Sequence, residues 1–402
     1  MFRTIPRHNI NLSKEEIALI VSKILDGSAP SGNDLAAFED EMAVYQGLPF
    51  VAAVNSGRAA LYLILKAMNF SLGSEILVPA YSFYSVVESV KAAGLSPVFA
   101  PCHPRHYALD PSRLDSALTK NTVALIVEHP FGQTAPMDDI MDWSQGHGLP
   151  VIEDASQSIG ASLNGKKAGS FGLASCMSLV HGKNLMTFGG GLVLTKEEKI
   201  YREVLQQIVK TRPIEAGKIR KEALSGLVNW ALTTRIGYQF GPFAPFFLLN
   251  LFDRKRLEAF FEEAHSLYDP KALKPLSNLQ AGLGREQLKR LDERNSKRRT
   301  LAEQIIHGLS DTNALSLPEY PPNSIGTWNA LAVRVPSSLT VQRECLRYGV
   351  DTRADYMTGF AYQDEWLRHG EVLYLPCHPG MSFADADYVV ETVKKVMRKL
   401  AY

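Results

Sequence analysis

Thr122-Val-Ala-Leu-Ile-Val-Glu128, Pro150-Val-Ile-Glu-Asp154 and Ala174-Ser-Cys-Met-Ser-Leu-Val180 are three short, mostly apolar runs. They lack the in-and-out alternation of a half-exposed strand, as expected of strands buried on both faces of a sheet. Working outward, Glu75–Pro79 and Pro97–Ala100 have the same character. Helical periodicity fills the gaps, for example over Ala59 to Asn69 and Ser85 to Ala93. Strand and helix in alternation from Ala52 to about Thr195 predict a three-layer α/β domain with a mostly parallel sheet.

The flanks read differently. Ser13 and Glu16 form a capping box that opens a helix to about Leu25. The stretch Gly27 to Gly32 interrupts the chain, and an amphipathic helix with Phe38, Met42 and Tyr45 follows. In the last third, one long charged helix is expected from about Asn278 to Leu309, then strands around Trp328 to Val335 and a closing helix over Ala384 to Leu400. This is the pattern of a smaller α+β C-terminal domain. The expected organisation is a large domain over residues 1–207, an apolar insertion over 208–265 and a small domain over 266–402.

Between Leu224 and Phe252 the only charge is Arg235, and aromatic residues are frequent. Lys218-Ile-Arg220-Lys221 and Arg254-Lys-Arg256 flank the stretch, and Gly241-Pro-Phe-Ala-Pro245 divides it. Neither half reaches the ~20 residues that cross a bilayer. Two short apolar helices with basic collars suit insertion at a membrane interface, or a flap buried against a partner subunit.

The 402 residues carry 43 Lys+Arg against 42 Asp+Glu, so no basic excess points to nucleic acid. The cysteines Cys102, Cys176, Cys345 and Cys377 form no CxxC pair, which predicts neither a zinc site nor a disulfide framework. The N-terminal residues lack the long apolar stretch of a signal peptide, so a cytoplasmic location is expected, with peripheral contact at the inner face of the membrane if the apolar segment inserts.

In a parallel sheet, ligands bind beyond the carboxyl ends of the strands. Asp154 ends one run, where a carboxylate needs a cation or several donors; a protonated ring nitrogen is one partner, a helix N-cap the plain alternative. Lys183 follows another strand in His-Gly-Lys183-Asn, before Phe188-Gly-Gly-Gly191. Burial there lowers a lysine's proton affinity and yields a nucleophilic amine. Asn55-Ser56-Gly57-Arg58 leads into a helix whose free N–H groups suit a phosphate, or is an ordinary turn. Phe83, in Pro79-Ala-Tyr81-Ser-Phe83-Tyr84, either stacks on a flat ring or belongs to the core. One ligand fits all four: pyridoxal 5′-phosphate (PLP), with phosphate at Gly57, ring over Phe83, ring nitrogen at Asp154 and aldehyde carbon at Lys183.

The chain resembles the DegT/StrS-type sugar aminotransferases, PLP-dependent enzymes of fold type I, over nearly its whole length. The resemblance is carried by Gly32-Asn-Asp-Leu-Ala-Ala-Phe38-Glu39, Asn55-Ser-Gly57, Val78-Pro-Ala-Tyr-Ser-Phe83, His129-Pro-Phe-Gly-Gln133 and Val151-Ile-Glu-Asp-Ala-Ser-Gln157. Ser178-Leu-Val-His-Gly-Lys183-Asn184-Leu, Leu279-Gln-Ala-Gly-Leu-Gly284 and Leu375-Pro-Cys-His-Pro379 extend it. It implies that Lys183 forms the Schiff base and shuttles the proton, that Asp154 pairs with the ring nitrogen and that Gln157 contacts the phenolic oxygen. It implies further that Phe83 stacks on the ring and that Ser178, with the backbone amides of Gly57, Arg58 and Ala59, holds the phosphate. A homodimer with shared active sites, glutamate as amino donor and a nucleotide-linked keto-deoxysugar as acceptor are the implied partners. A keto-cyclitol or lipid-linked keto acceptor, and a non-catalytic regulatory protein on the same scaffold, are the alternatives. Sugar dehydratases of this type carry histidine in place of Lys183.

Three departures stand out. Arg58 replaces the usual Thr or Ser, and either adds a phosphate contact or points away. The family's Gly-Tyr-Asn-Tyr-Arg stretch is replaced by Ala272-Leu-Lys-Pro-Leu-Ser277. The apolar insertion occupies the segment from which a partner subunit lends a phosphate-binding asparagine.

Overall fold

Seven strands form the central sheet: β1 (Phe50–Val54), β2 (Glu75–Pro79), β3 (Ser96–Ala100), β4 (Thr122–Glu128), β5 (Val151–Asp154), β6 (Ala174–Ser178) and β7 (Gly191–Thr195). The computed structural model describes residues 3–211, 214–252, 268–354, 357–360, 366 and 371–400. The strand order is β1-β7-β6-β5-β4-β2-β3, with β7 antiparallel to its two neighbours and the other pairings parallel.

Both faces of the sheet are covered, which is why its strands read as continuous apolar runs. On one face Ala52, Ile76, Val78, Ile126, Ile152 and Val193 pack with Leu61, Ile64 and Leu65 of α3 (Gly57–Ala67), with α4 (Tyr84–Ala92) and with Ile200 and Val204. On the other, Leu77, Leu125 and Val127 meet Met137 and Ile140 of α5 (Met137–His147). Val51, Leu192 and Leu194 meet Phe38 and Met42 of α2 (Asp34–Gln46). The expected capping box closes α1 (Lys14–Leu25), with Glu16 N–H donating to Ser13 Oγ at 3.2 Å and Ser13 N–H to Glu16 Oε2 at 3.0 Å. The α/β prediction and the strand positions hold.

The long helix expected from Asn278 to Leu309 is two helices, Asn278–Leu288 and Leu291–Leu309, broken at Arg290, whose φ is −119° and ψ 6°. The reason lies in what each half buries. Leu279 and Leu283 pack under α1, whereas Leu301, Ile305 and Leu309 belong to a second core, and one straight helix does not serve both. That second core sits on an antiparallel sheet of Leu331–Arg334, Val372–Leu375 and Arg353–Ala354, with the helices Ser338–Arg347 and Phe383–Lys399. Ile5 joins it, bridging in parallel to Val350, so the start of the chain lies against this second unit.

After α6 (Glu198–Val209), the apolar segment folds as α7 (Ala216–Thr233), α8 (Arg235–Phe240) and α9 (Phe243–Phe252). Thr234 caps α8 by accepting the Gly237 N–H at 3.1 Å, so the segment breaks there as well as at Gly241-Pro242. Its aromatics are not all outward. Tyr238 and Phe243 are buried with Leu346, and Phe246 and Phe247 pack against them. Leu224, Val228, Leu232, Ile236, Phe240 and Leu248 are exposed. The basic cluster Arg254–Arg256 lies outside the described residues. Among the described residues, no helix is long and apolar enough to cross a membrane.

Candidate active site

A cavity of about 480 Å³ opens at the carboxyl ends of β4, β5 and β6. Gly57, Arg58, Phe83, Asp154, Gln157, Ser178 and Lys183 all line it, although they come from distant parts of the chain. Ala59 does not. It is fully buried, and its N–H donates to Ser56 Oγ at 3.1 Å to cap α3, so among the first amides of the helix only those of Gly57 and Arg58 belong to cavity-lining residues.

The cradle at Gly57 is built by close approach. A Cβ at Gly57 would lie 2.9 Å from Ser178 Cβ, and a Cβ at Gly191 would lie 2.5 Å from Gly57 N. This explains the run Phe188-Gly-Gly-Gly191: Gly190 donates to Asn55 O at 3.1 Å and adopts φ +116°, so the backbone of β7 lies directly against the loop. The departure at Ala272–Ser277 takes part in the same construction. Asn55 Nδ2 donates to Ala272 O at 2.8 Å, Lys274 N–H to Asn55 Oδ1 at 3.1 Å, and Val54 bridges to Pro275. Arg58 lines the cavity with its guanidinium 3.7 Å from Glu88.

Asp154 closes β5, its Oδ1 accepting the Ser156 N–H at 2.9 Å, which fixes the carboxylate at the strand end. Gln157 Oε1 accepts the Phe131 N–H at 3.2 Å, so its amide orientation is set. Phe131 and Gly132 adopt φ +58° and +86°, and the motif around them rests on a buried base. Ala135 N–H donates to His129 Nδ1 at 3.0 Å, and His129 Nε2 faces Glu153 Oε2 at 2.8 Å. Glu153 also accepts the N–H groups of Gly169 at 2.7 Å and Gly172 at 2.6 Å. Glu153 is fully buried behind the wall and ties these segments together, whereas His129 and Asp154 both line the cavity.

Other groups in the wall were not singled out in the sequence. Glu128 ends β4 opposite Asp154 in parallel register. Its carboxyl is pushed up to about 8, first by burial and then by Asp154, against hydrogen bonds from Ser82 and Phe83 and the charge of Lys183. The signal was there, since Glu128 ends a buried apolar run just as Asp154 does. Arg7, His8 and Arg353 also line the cavity, and tertiary folding alone brings them there. Burial and the adjacent Arg7 push the His8 imidazole down to about 4, so it is neutral at physiological pH.

The sequence pattern described as the DegT/DnrJ/EryC1/StrS aminotransferase family matches residues 11–223 and 272–394, leaving out most of the apolar segment. The erythromycin biosynthesis sensory transduction protein EryC1 of Saccharopolyspora erythraea is 30% identical, covering 90% of each chain. The spore coat polysaccharide biosynthesis protein SpsC of Bacillus subtilis (strain 168) is 27% identical over 96% of this chain and 95% of its own. Among solved structures, S. venezuelae DesV in complex with a ketimine intermediate superposes with a TM-score of 0.74 at 25% identity, covering 98% of both chains. By pattern, length and fold, the chain belongs to the DegT/DnrJ/EryC1/StrS aminotransferase family.

Proposed function

We propose that this protein is a PLP-dependent aminotransferase that transfers an amino group, from L-glutamate, to the keto group of a nucleotide-linked deoxysugar. One observation carries the reading. Lys183, Asp154, Gln157, Phe83, Ser178 and the Gly57 loop line a single cavity, and the glycines at 57 and 191 stand where an added Cβ would collide with Ser178 and the loop backbone. Similar proteins support the acceptor. The dTDP-3-amino-3,4,6-trideoxy-alpha-D-glucose transaminase of Streptomyces venezuelae is 27% identical over 95% of this chain.

When bound, PLP supplies an electron sink for the carbon that gains or loses the amine. The protein's groups do the rest. Gly57 and Arg58 N–H with Ser178 Oγ would hold the phosphate, Phe83 would cover the ring, and Gln157 would meet the phenolic oxygen. Asp154 would keep the ring nitrogen protonated. Lys183 would hold the cofactor through its amine, and that amine is the group that would move a proton as base and acid. The family's homodimer with shared sites is the assembly this reading takes.

A second reading of the acceptor rests on the apolar helices. Their exposed row (Leu224, Val228, Leu232, Ile236, Phe240, Leu248) lies near exposed Lys218, Arg220, Lys221 and Arg235. The same helices brace the cavity wall. Asn9 Nδ2 donates to Thr233 O at 2.5 Å, and Ile10 N–H to Thr233 Oγ1 at 3.1 Å, directly after Arg7 and His8. This favours a protein peripheral on the inner face of the membrane, working on a lipid-linked keto compound.

The test is the absorption spectrum of the PLP-loaded protein before and after glutamate. A visible band that bleaches with glutamate and is absent in Lys183→Ala is expected. A protein that takes up no PLP, or a Lys183→Ala protein that transaminates at the wild-type rate, sinks the proposal.

A further inference from the structure

Glu128 is a buried carboxyl in the cavity wall with no part in the scheme above. Its strand lies in register with that of Asp154, so two carboxyl groups occupy neighbouring strand ends. Ser82 Oγ hydrogen-bonds Glu128 Oε1, and the Phe83 N–H donates to Oε2 at 3.4 Å. Both partners belong to the short segment that carries the ring-covering Phe83. We infer that Glu128 is a second carboxyl of the cofactor site, a positioning residue that pins the Ser82–Phe83 segment and sets its carboxyl group beside Asp154 and Lys183.

This rests on the reading that PLP binds at Lys183. The groups acting on Glu128 come from every side: Asp154 from β5, Lys183 from the loop after β6, and Ser82 and Phe83 from the segment before α4. The Cys176 thiol of β6 lies against the same pair, and burial with both carboxylates pushes it well up, so it stays a thiol. Burial in an apolar wall favours neutral Glu128, and Asp154 adds to this; the two hydrogen bonds and Lys183 act in the opposite sense. The carboxyl therefore ionises close to pH 8 rather than in the usual carboxylate range. Across that pH the wall gains one negative charge, at Glu128. A negative charge there favours the protonated form of a neighbouring nitrogen, so a proton held at the cofactor site responds to the state of Glu128.

Glu128→Gln keeps the length and the hydrogen-bonding shape and removes the charge. Glu128→Val removes both. The experiment is a pH titration of the visible band of the PLP-loaded proteins, with PLP dissociation measured alongside. In the wild type the titration spans more pH than a single-proton curve. In Glu128→Gln it becomes single-proton, with a midpoint lower by about one unit. Glu128→Val shows the same midpoint and releases PLP faster than Glu128→Gln, because Phe83 has lost its anchor. A wild-type band with an unmoved midpoint in Glu128→Gln overturns this inference alone. Equal PLP retention in the two variants overturns the anchoring half. A wild type that binds no PLP overturns the functional reading and this inference with it.

Discussion

Asp351→Ala should destabilise the protein more than removing the whole ion pair to which it belongs. Asp351 Oδ1 accepts from Arg7 Nη2 at 2.6 Å and Oδ2 from Arg7 Nε at 3.0 Å, a two-pronged fork. Tyr238 Oη donates to Oδ2 at 2.7 Å, so α8 of the apolar segment is tied to the same carboxylate. The side chains are 14% and 4% exposed for Arg7 and Asp351, which leaves little water to compensate a lone charge. Truncating one partner of a buried pair costs about 3–5 kcal/mol, and the slight exposure of Arg7 places the cost near 3. For 402 residues unfolding together, at about 2 cal/mol/K each, that lowers the melting midpoint by about 4 °C. The double variant Arg7→Met, Asp351→Leu leaves no uncompensated charge but strands the Tyr238 hydroxyl, so it should melt about 2 °C below the wild type and still above Asp351→Ala. Tyr238→Phe removes one hydrogen bond to a charged group, worth about 1.5–2 kcal/mol. Scanning calorimetry of the four proteins under one buffer reads all of this. If the double variant melts as low as Asp351→Ala, the cost is lost packing rather than a stranded guanidinium, and the reasoning is refuted.

Two further perturbations test other parts of the structure. Gly191→Ala, whose Cβ would meet Gly57 N at 2.5 Å, should push the phosphate loop outward; overpacking of about 1–3 kcal/mol corresponds to PLP binding about tenfold weaker by titration, and unchanged binding would deny that the glycine run exists for close approach. The wild type should co-sediment with vesicles containing an anionic phospholipid at low salt, and Leu224→Asp combined with Ile236→Asp should abolish this. No co-sedimentation, with a dimer that the same variant dissociates, would assign the exposed row to a second copy of the chain.

The strands and the site were legible for one physical reason. A sheet buried on both faces admits only apolar runs, so a charged residue at the end of such a run stands out. Asp154 is found in this way; Glu128 carries the same signal at the end of its own run and was given no role. The break at Arg290 was not legible, because Asn278 to Leu309 is helical throughout in composition and only the position of two separate cores forces the bend. Arg7, His8 and Arg353 were beyond reach for a related reason. They come from the start of the chain and from a two-residue strand, segments joined by the Ile5–Val350 bridge and the pairing of Arg7 with Asp351.

The departure at Ala272–Ser277 carries the same lesson from the other direction. Read as sequence, it is a loss of polar groups. In the fold, its backbone satisfies both the amide oxygen and nitrogen of Asn55 and takes the Asn55 N–H at Lys274 O, 3.1 Å away. Asn55 immediately precedes the capping Ser56, so the stretch fixes the angle at which α3 presents its first amides. Backbone groups serve this purpose whatever side chains they carry. The side chains at Ala272–Ser277 are therefore not needed to hold the Asn55–Gly57 loop in place. Replacing Asn55 by alanine strands both backbone partners at once, which makes the phosphate loop, and not the substituted stretch, the point of failure.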